Sequence, residues 1–261
     1  MSQMRLVTRN GKQYFRVAHN KMTKHSNTED QLRNRLTFAN CINLWKCMAP
    51  GVRPYYSEKN EGKRNYNTFM RLNLKLSQTY LTREVLDAGG CIAHELVLSS
   101  GTLAPITLTA EGNYYRSNIM VGDLAITPFT PRNEISQAIV ANNDDFQMGD
   151  TIALYLMTEY EKNLDGLSVP MIEMNRVELK LDPAAIDGQW DSLFMTKEGE
   201  RCLFFACDSF GRCLVHWRQE EDELKASPAS LSFGSRTDRY YDTLTEEAFQ
   251  RAAESYGGLS E

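Results

Sequence analysis

The sequence predicts an α+β protein, in which an N-terminal hairpin and a helical pair precede an antiparallel β-rich body, a sandwich or barrel, and a short C-terminal helix. Three observations predict it. An Asn-Gly pair separates two short strand-like segments near the N-terminus, two stretches between residues 28 and 77 have helical periodicity, and short strand-like runs fill the chain beyond residue 85. We expect a head over residues 1–84 and a body over residues 85–261, with room for two sub-sheets in the body.

The N-terminal element is a predicted two-residue hairpin. Asn10 and Gly11 stand between RLVTR and KQYFRV, which contain β-branched and aromatic residues. Asn-Gly tolerates the positive φ angles that a tight hairpin turn requires. A lone hairpin is only marginally stable in water, so it needs another surface to pack against. A polar and basic linker is expected over residues 20–27.

Two helices are predicted in the rest of the head. The first begins at Thr28, where Gln31 completes a capping box, and runs to about Met48. Pro50 and the following glycine are expected to end it, because proline lacks the backbone donor. The second begins near Asn65 and carries an aromatic and aliphatic stripe. The two helices are expected to be antiparallel with a basic outer face.

The body is predicted from twelve short runs separated by turn residues. This spacing favours antiparallel strands, and the runs are HELVLSS, APITLTA, NYYRS, DLAIT, SQAIVAN, DTIALYLMTEY, PMIEM, VELKL, SLFMT, RCLFFACDS, RCLVHWR and SLSF. Residues 208–212 are expected to form a hairpin loop, with Gly211 at a positive-φ position. Thr245 opens the terminal helix predicted over residues 245–256, which Gly257 and Gly258 close.

The charge is divided unequally along the chain. Residues 1–80 hold 15 Lys and Arg against 4 Asp and Glu, a net charge of +11, whereas the remainder holds 14 against 30, a net charge of −16, and together they give the overall −5. The pI near 5.5 therefore conceals a basic head joined to an acidic body. This asymmetry indicates an anionic partner for the head, or a head that docks on an acidic body.

The candidate binding site is the set of cations in the head. Tyrosine and phenylalanine residues are interleaved with them, as stacking on nucleic-acid bases would require. The candidate polyanion-binding residues are Arg5, Arg9, Lys12, Arg16, Lys21, Lys24, Lys63, Arg64, Arg71 and Lys75. An equally simple interpretation is a solvated basic face that meets an acidic protein surface.

No catalytic, cofactor or metal motif is recognised, so no catalytic residue, cofactor or metal ligand is assigned. The acidic run at residues 142–145 and Asp150 could offer oxygen ligands, but its spacing does not match a calcium loop, and an exposed turn is the simpler interpretation. The six cysteines lack both zinc and secreted-domain spacing and are expected to be free and mostly buried. The absence of a signal segment or an apolar span favours a cytoplasmic location with no membrane partner.

Several segments resemble a family of bacterial proteins from gut anaerobes that carry a domain of unknown function. The similar N-terminal segments are RNGKQYFRV, QLRNRLTFANCINLWKCMAP and NYNTFMRLN, and the later ones are LVLSSGTLAPITLT, SQAIVANNDDFQMGDTIALYL and CLVHWRQEEDELKASPASL. The resemblance implies a helical head on a β-rich body and supplies no activity.

The sequence therefore favours a non-enzymatic binding protein, whose basic head engages nucleic acid or an acidic protein surface. The alternative is a structural protein of a phage or mobile element that assembles with itself as a homo-oligomer, the basic head of one copy meeting the acidic body of the next. A hydrolase is a third hypothesis, and it would require a pocket with convergent polar groups and perturbed carboxylates.

Overall fold

The computed structural model describes most of the chain, and the statements below concern that part. The described residues are 4–9, 12–17, 28–56, 65–76, 78–93, 95–111, 114–127, 129–185, 195–205, 211–221, 223–233 and 241–259. Helices and antiparallel strands occur in the predicted combination, so the α+β class with a β-rich body is confirmed. Among these residues, no helix is long and apolar enough to cross a membrane.

Three of the described helices lie in the first third of the chain, one lies near its middle and one lies at its end. They are α1 (Glu29–Val52), α2 (Asn65–Asn73), α3 (Arg83–Asp87), α4 (Arg132–Asn142) and α5 (Glu246–Ser255), with 3₁₀ turns at Arg53–Tyr56 and Leu74–Leu76. The terminal helix agrees with its prediction. The Thr245 hydroxyl accepts a hydrogen bond from the amide of Ala248, and Gly257 and Gly258 follow the helix with positive φ.

The strands form an N-terminal hairpin and three further antiparallel groups. They are β1 (Met4–Arg9), β2 (Lys12–Val17), β3 (Val97–Ser99), β4 (Leu108–Glu111), β5 (Tyr114–Met120), β6 (Thr151–Leu164), β7 (Leu167–Lys180), β8 (Met195–Glu198), β9 (Arg201–Phe205), β10 (Gly211–Glu220), β11 (Glu223–Ala226), β12 (Ala229–Ser230) and β13 (Ser232–Phe233). The larger sheet has the order β11-β10-β6-β7, with β13 also paired to β10. The smaller sheet has the order β4-β5-β9-β8, and β12 pairs with β3.

A long hairpin of β6 and β7 forms the middle of the larger sheet. Its pairing runs without a break from Thr151 opposite Lys180 to Leu164 opposite Leu167. The turn is the two residues Asp165 and Gly166, both with positive φ, as a primed two-residue turn requires. The runs PMIEM and VELKL, predicted as separate strands, are therefore parts of β7.

Both faces of the first half of β6 are buried, which explains its continuous apolar run. Alternate residues of a strand point to opposite faces. Ala153, Tyr155 and Met157 belong to a cluster with α1 and α2, whereas Ile152, Leu154 and Leu156 belong to a second cluster with α4 and the smaller sheet. The first cluster contains residues from both sides of position 84. The division into a head and a body at that position stays a prediction.

Three local predictions are wrong. SQAIVAN lies in helix α4 and not in a strand, because Ile135 and Ile139 are one turn apart and bury the same face. DLAIT forms no strand. The strands expected to flank a hairpin loop at residues 208–212 do not pair with each other, because β9 pairs with β5 and β8 while β10 pairs with β6. Gly211 begins β10 without a positive φ, and residues 206–210 lie outside the described part.

The first helix begins after Thr28, as predicted, but it ends later than predicted and lacks the predicted side-chain cap. Pro50 does not end α1, which continues to Val52 and into the 3₁₀ turn. A proline inside a helix costs about 3 kcal/mol, and the burial of Val52, Tyr55 and Tyr56 in the first cluster offsets it. At the start, Thr28 makes no side-chain capping hydrogen bond, so the predicted capping box is absent.

Buried asparagines on the helices bind the backbone that leads into the sheet. Asn40 of α1 donates to the carbonyl of Ile92 and accepts from its amide, each at 3.0 Å. Asn73 of α2 does the same to Val97, at 3.0 and 2.7 Å. Each carboxamide thus pairs with one residue as a neighbouring strand would. The helices are therefore fixed to the segment 90–98 by hydrogen bonds as well as by apolar contact.

Replacing Asn40 with alanine is expected to lower the free energy of unfolding by about 2–4 kcal/mol. The amide and the carbonyl of Ile92 would both lose their partner in a fully buried site, and each such group costs about 1–3 kcal/mol. Urea unfolding measures the change. The control is Asn34→Ala on the exposed side of the same helix, which should change stability by less than about 0.5 kcal/mol. Equal effects of the two substitutions would contradict this account.

Candidate functional site

The register of the N-terminal hairpin places four predicted binding residues on one face. Arg5 lies opposite Arg16, and Arg9 lies opposite Lys12. Because alternate residues of a strand share a face, these two pairs and the pair between them occupy the same face of the ribbon. The two-residue connection agrees with the predicted hairpin, although Asn10 and Gly11 themselves lie outside the described residues.

The register assigns residues of different character to the two faces of the hairpin. Its basic face holds Arg5, Val7, Arg9, Lys12, Tyr14 and Arg16, and its other face holds Met4, Leu6, Thr8, Gln13, Phe15 and Val17. The second set is largely apolar and suits packing. The first set combines four cations with one aromatic residue and suits a polyanionic ligand.

Both outer pairs on the basic face put like charges directly opposite each other. Such pairs destabilise an antiparallel ribbon by a few tenths of a kcal/mol up to about 1 kcal/mol. From Arg5 to Arg9 the strand advances by about 13 Å, and neighbouring strands are about 4.8 Å apart. Four basic residues therefore occupy the corner positions of a narrow strip of backbone, an arrangement whose charge bound phosphates would neutralise.

Of the six other predicted cations, the structure describes two. Lys21, Lys24, Lys63 and Arg64 lie outside the described residues. Arg71 of α2 and Lys75 of the following 3₁₀ turn are both exposed. They belong to the helical segment and not to the hairpin.

Lys75 also lines a groove of about 690 Å³ that the sequence did not reveal. The groove lies between α1 and the Leu74–Leu76 turn, and its lining residues are Gln31, Asn34, Arg35, Thr37, Phe38, Leu74, Lys75 and Gln78. Phe38 is 44% exposed. The groove therefore combines an accessible aromatic ring with cationic and amide side chains.

A buried ionic cluster lies at the start of β6. Asp150 and His216 are both 0% exposed, and His216 Nε2 is 2.8 Å from Asp150 Oδ2. Arg218 donates from Nε to Oδ1 at 2.6 Å and from Nη2 to Oδ2 at 2.8 Å, a bidentate contact. The amide of Gln147 adds a further donor to Oδ2 at 2.9 Å. Both carboxylate oxygens are thus held by donors.

Burial of Asp150 opposes its ionisation, but the donors outweigh it. Hydrogen bonds from Arg218, His216 and the Gln147 amide lower the pKa of the Asp150 carboxyl to about 2. Asp150 is therefore ionised at neutral pH. Because the Asp150 and His216 side chains have no exposed surface, this cluster offers no accessible carboxylate for a hydrolase, and its arrangement is that of a structural ion pair.

His216 keeps one polar atom without a hydrogen bond. Its Nδ1 is buried and unpaired, while the ring packs on Phe146 with centroids 4.4 Å apart. Its backbone amide donates to the Ser227 hydroxyl, and its carbonyl accepts from the Ser227 amide. These contacts fix β10 to the segment that follows β11.

The sequence contained a signal for this cluster that our prediction missed. The sequence favours an exposed turn at Asp150, and the structure shows this residue buried. His216 and Arg218 are two residues apart in a strand and therefore share a face. Two basic residues at this spacing at the end of an apolar strand require an acidic partner, which only the pairing of β10 with β6 identifies.

The described cysteines agree with their prediction. Cys41, Cys91, Cys202 and Cys213 are buried and Cys47 is half-buried, and none of these five forms a disulfide. Among the described residues, no group of three or more histidine, cysteine, aspartate or glutamate side chains is arranged to hold a metal ion.

Comparisons with known proteins do not assign the chain to a class or to a particular protein. No protein-family model, no curated protein and no solved structure matches it. The resemblance to the bacterial family therefore stays a prediction, and the function has to be argued from the geometry.

Proposed function

We propose that the protein binds nucleic acid through the basic face of its N-terminal hairpin. The observation that carries this proposal is the register, in which Arg5 lies opposite Arg16 and Arg9 lies opposite Lys12. A face that concentrates four cations against their mutual repulsion is best explained by a ligand that supplies negative charge.

The dimensions of the strip favour nucleic acid over an acidic protein surface. A two-stranded β-ribbon fits the major groove of B-DNA, which is about 12 Å wide. Phosphates follow each other at regular short intervals along a nucleic-acid strand, whereas carboxylates on a protein surface have no fixed spacing. Tyr14, on the same face, adds a ring on which an unpaired base can stack.

The face favours binding without sequence preference. Besides the four cations, it holds Val7 and Tyr14 and has no asparagine or glutamine. Amide side chains read adenine, and arginine reads guanine when other contacts hold it in a groove. Contacts with phosphate position a protein without reading sequence, so the affinity should depend on salt more than on base composition.

Fluorescence anisotropy with a labelled 20-base-pair duplex and a 20-nucleotide single strand of mixed sequence tests the proposal. If all four cations contact phosphates, the affinity for the duplex should fall by about 150-fold between 50 and 200 mM NaCl, and that for the single strand by about 50-fold. Polyglutamate of equal charge is the competitor. No binding at 25 mM NaCl would overturn the proposal, and displacement by polyglutamate at equal charge concentration would favour an acidic protein partner.

A second candidate is self-assembly, and the charge division favours it. A segment of net charge +11 precedes one of −16 in the same chain, so the head of one copy can attract the body of another. Such an assembly would suit a structural protein of a phage or mobile element. Light scattering after size exclusion separates this candidate from the first. Oligomers that dissociate as salt rises support it, and a monomer at every salt concentration contradicts it.

A further inference from the structure

Two thiols meet where α1 packs against the larger sheet. The Sγ atoms of Cys47 and Cys91 are 3.9 Å apart, although the residues are 44 positions apart in the chain. Cys91 is completely buried, whereas Cys47 is half-buried. The two sulfurs are thus close to each other, and they belong to residues of unequal exposure.

We propose that Cys47 and Cys91 form a peroxide-reactive dithiol that closes reversibly into an intramolecular disulfide. Cys47 is the attacking thiol because it is the more exposed residue of the two, and Cys91 is the resolving thiol because it is fully buried with its sulfur 3.9 Å away. The co-reactant is a hydroperoxide, which is small enough to reach a half-buried residue. This inference is independent of nucleic-acid binding.

The surroundings of the two sulfurs favour Cys47 as the attacking thiol and Cys91 as the resolving thiol. Donation from the Cys91 thiol, helped by the backbone amide of Ile172 and the ammonium group of Lys46, lowers the pKa of the Cys47 thiol to about 7 against the opposing effect of burial. The hydrogen bond to Cys47 and burial raise the pKa of the Cys91 thiol well above its ordinary value. Cys47 is therefore the thiol of the pair that ionises more readily, while Cys91 is the one that keeps its proton.

The reaction follows the usual chemistry of thiols. The Cys47 thiolate attacks one oxygen of the hydroperoxide, the O–O bond breaks, and the other oxygen leaves as an alcohol, or as water from hydrogen peroxide, after it takes a proton. The resulting sulfenic acid is attacked by Cys91, the S–O bond breaks, and water leaves. Two thiols and one hydroperoxide give one disulfide, one alcohol and one water. The sulfurs lose two electrons and the peroxide gains them.

The disulfide would close a loop that contains α2 and α3. It would join α1 to the segment before β3, so it would restrict the unfolded chain more than the folded one. The melting temperature of the oxidised protein should rise by about 5–10 °C relative to the reduced protein. Arg71 and Lys75 lie inside this loop, although the hairpin does not.

The first test uses the unmodified full chain. Hydrogen peroxide should consume two thiols per chain, dithiothreitol should restore them, and peptide mass spectrometry should find Cys47 linked to Cys91. In the reduced protein, the rate of alkylation of Cys47 by iodoacetamide should be half-maximal near pH 7, against about 8.5 for an ordinary cysteine. If hydrogen peroxide consumes no thiol, or if the disulfide joins other cysteines, the proposal is overturned.

Variants separate the two roles. Cys91→Ser should accumulate a sulfenic acid on Cys47 that dimedone traps, and Cys47→Ser should consume peroxide at least tenfold more slowly. The control is Cys213→Ser, because Cys213 is fully buried and burial raises the pKa of its thiol. It should form the disulfide at the wild-type rate. Circular dichroism establishes that each variant is folded, and equal peroxide reactivity of Cys47→Ser and the wild type contradicts the assignment.

Discussion

Replacing Asp150 with alanine is expected to lower the free energy of unfolding by about 3–5 kcal/mol, the range for removing one partner of a buried ion pair. The substitution leaves His216 Nε2 without its partner in a fully buried site. It also removes the bidentate contact of Arg218, whose side chain is 17% exposed, and the acceptor for the Gln147 amide. The loss exceeds that of a single hydrogen bond because three donors are affected together.

Urea unfolding at pH 7 measures this effect, and Asp144→Ala supplies the matched control. Asp144 is exposed in the turn between α4 and β6, so its removal should change stability by less than about 0.5 kcal/mol. A loss below about 1 kcal/mol for Asp150→Ala would show that the cluster does not hold β6 to β10.

The same carboxylate predicts a pH dependence. The folded-state pKa of Asp150, about 2, is below the ordinary value of 3.8. The stability contributed by this group is therefore fully present above about pH 4 and is lost as the pH falls through 2. The difference in stability between the wild type and Asp150→Ala should shrink over this interval. A difference that stays constant down to pH 2 would contradict the lowered pKa.

Neutralising the basic face of the hairpin is expected to have the largest effect on binding. The variant with Arg5→Gln, Arg9→Gln, Lys12→Gln and Arg16→Gln should bind the duplex at least 100-fold more weakly at 50 mM salt, because it removes four phosphate contacts. Its thermal stability should be unchanged or higher, since the substitutions relieve two pairs of opposed like charges. Loss of binding without loss of stability is the combined result to expect.

The control variant lowers the net charge by the same amount as the hairpin variant. Its four substitutions lie far from the hairpin in the sequence. Arg132, Lys162, Lys180 and Arg251 are exposed on α4, β6, β7 and α5, and their replacement by glutamine also removes four positive charges. This control should lower the affinity by less than about tenfold, the effect of net charge alone. If the two variants weaken binding equally, overall charge and not the hairpin face determines the affinity.

Elements with local signals could be predicted from the sequence. The Asn-Gly hairpin and the terminal helix with its Thr245 cap depend on contacts between residues that are near each other in the chain, at most 13 positions apart in the hairpin and three in the cap. The alternation of Arg5, Arg9, Lys12 and Arg16 also defines their shared face once the turn is fixed. For this reason four of the ten candidate residues could be expected on one surface before the structure was known.

Elements that depend on distant partners could not be predicted. SQAIVAN is short and apolar, so its periodicity alone does not separate a strand from a helix. Helix α1 continues past Pro50 because residues beyond it are buried against the sheet. Asp150 is buried because the pairing of β10 with β6 brings His216 and Arg218 next to it. The meeting of Cys47 and Cys91 likewise arises from packing across 44 residues.

The dependence of affinity on salt tests the central claim most directly. The slope of log K against log salt for the duplex should be about −0.9 for each phosphate that the protein neutralises. The four-residue hairpin variant should therefore lose about 3.6 from the magnitude of the wild-type slope, while the control keeps that slope. If the hairpin variant retains the wild-type slope to within about one unit, the phosphates are bound elsewhere and the claim is wrong.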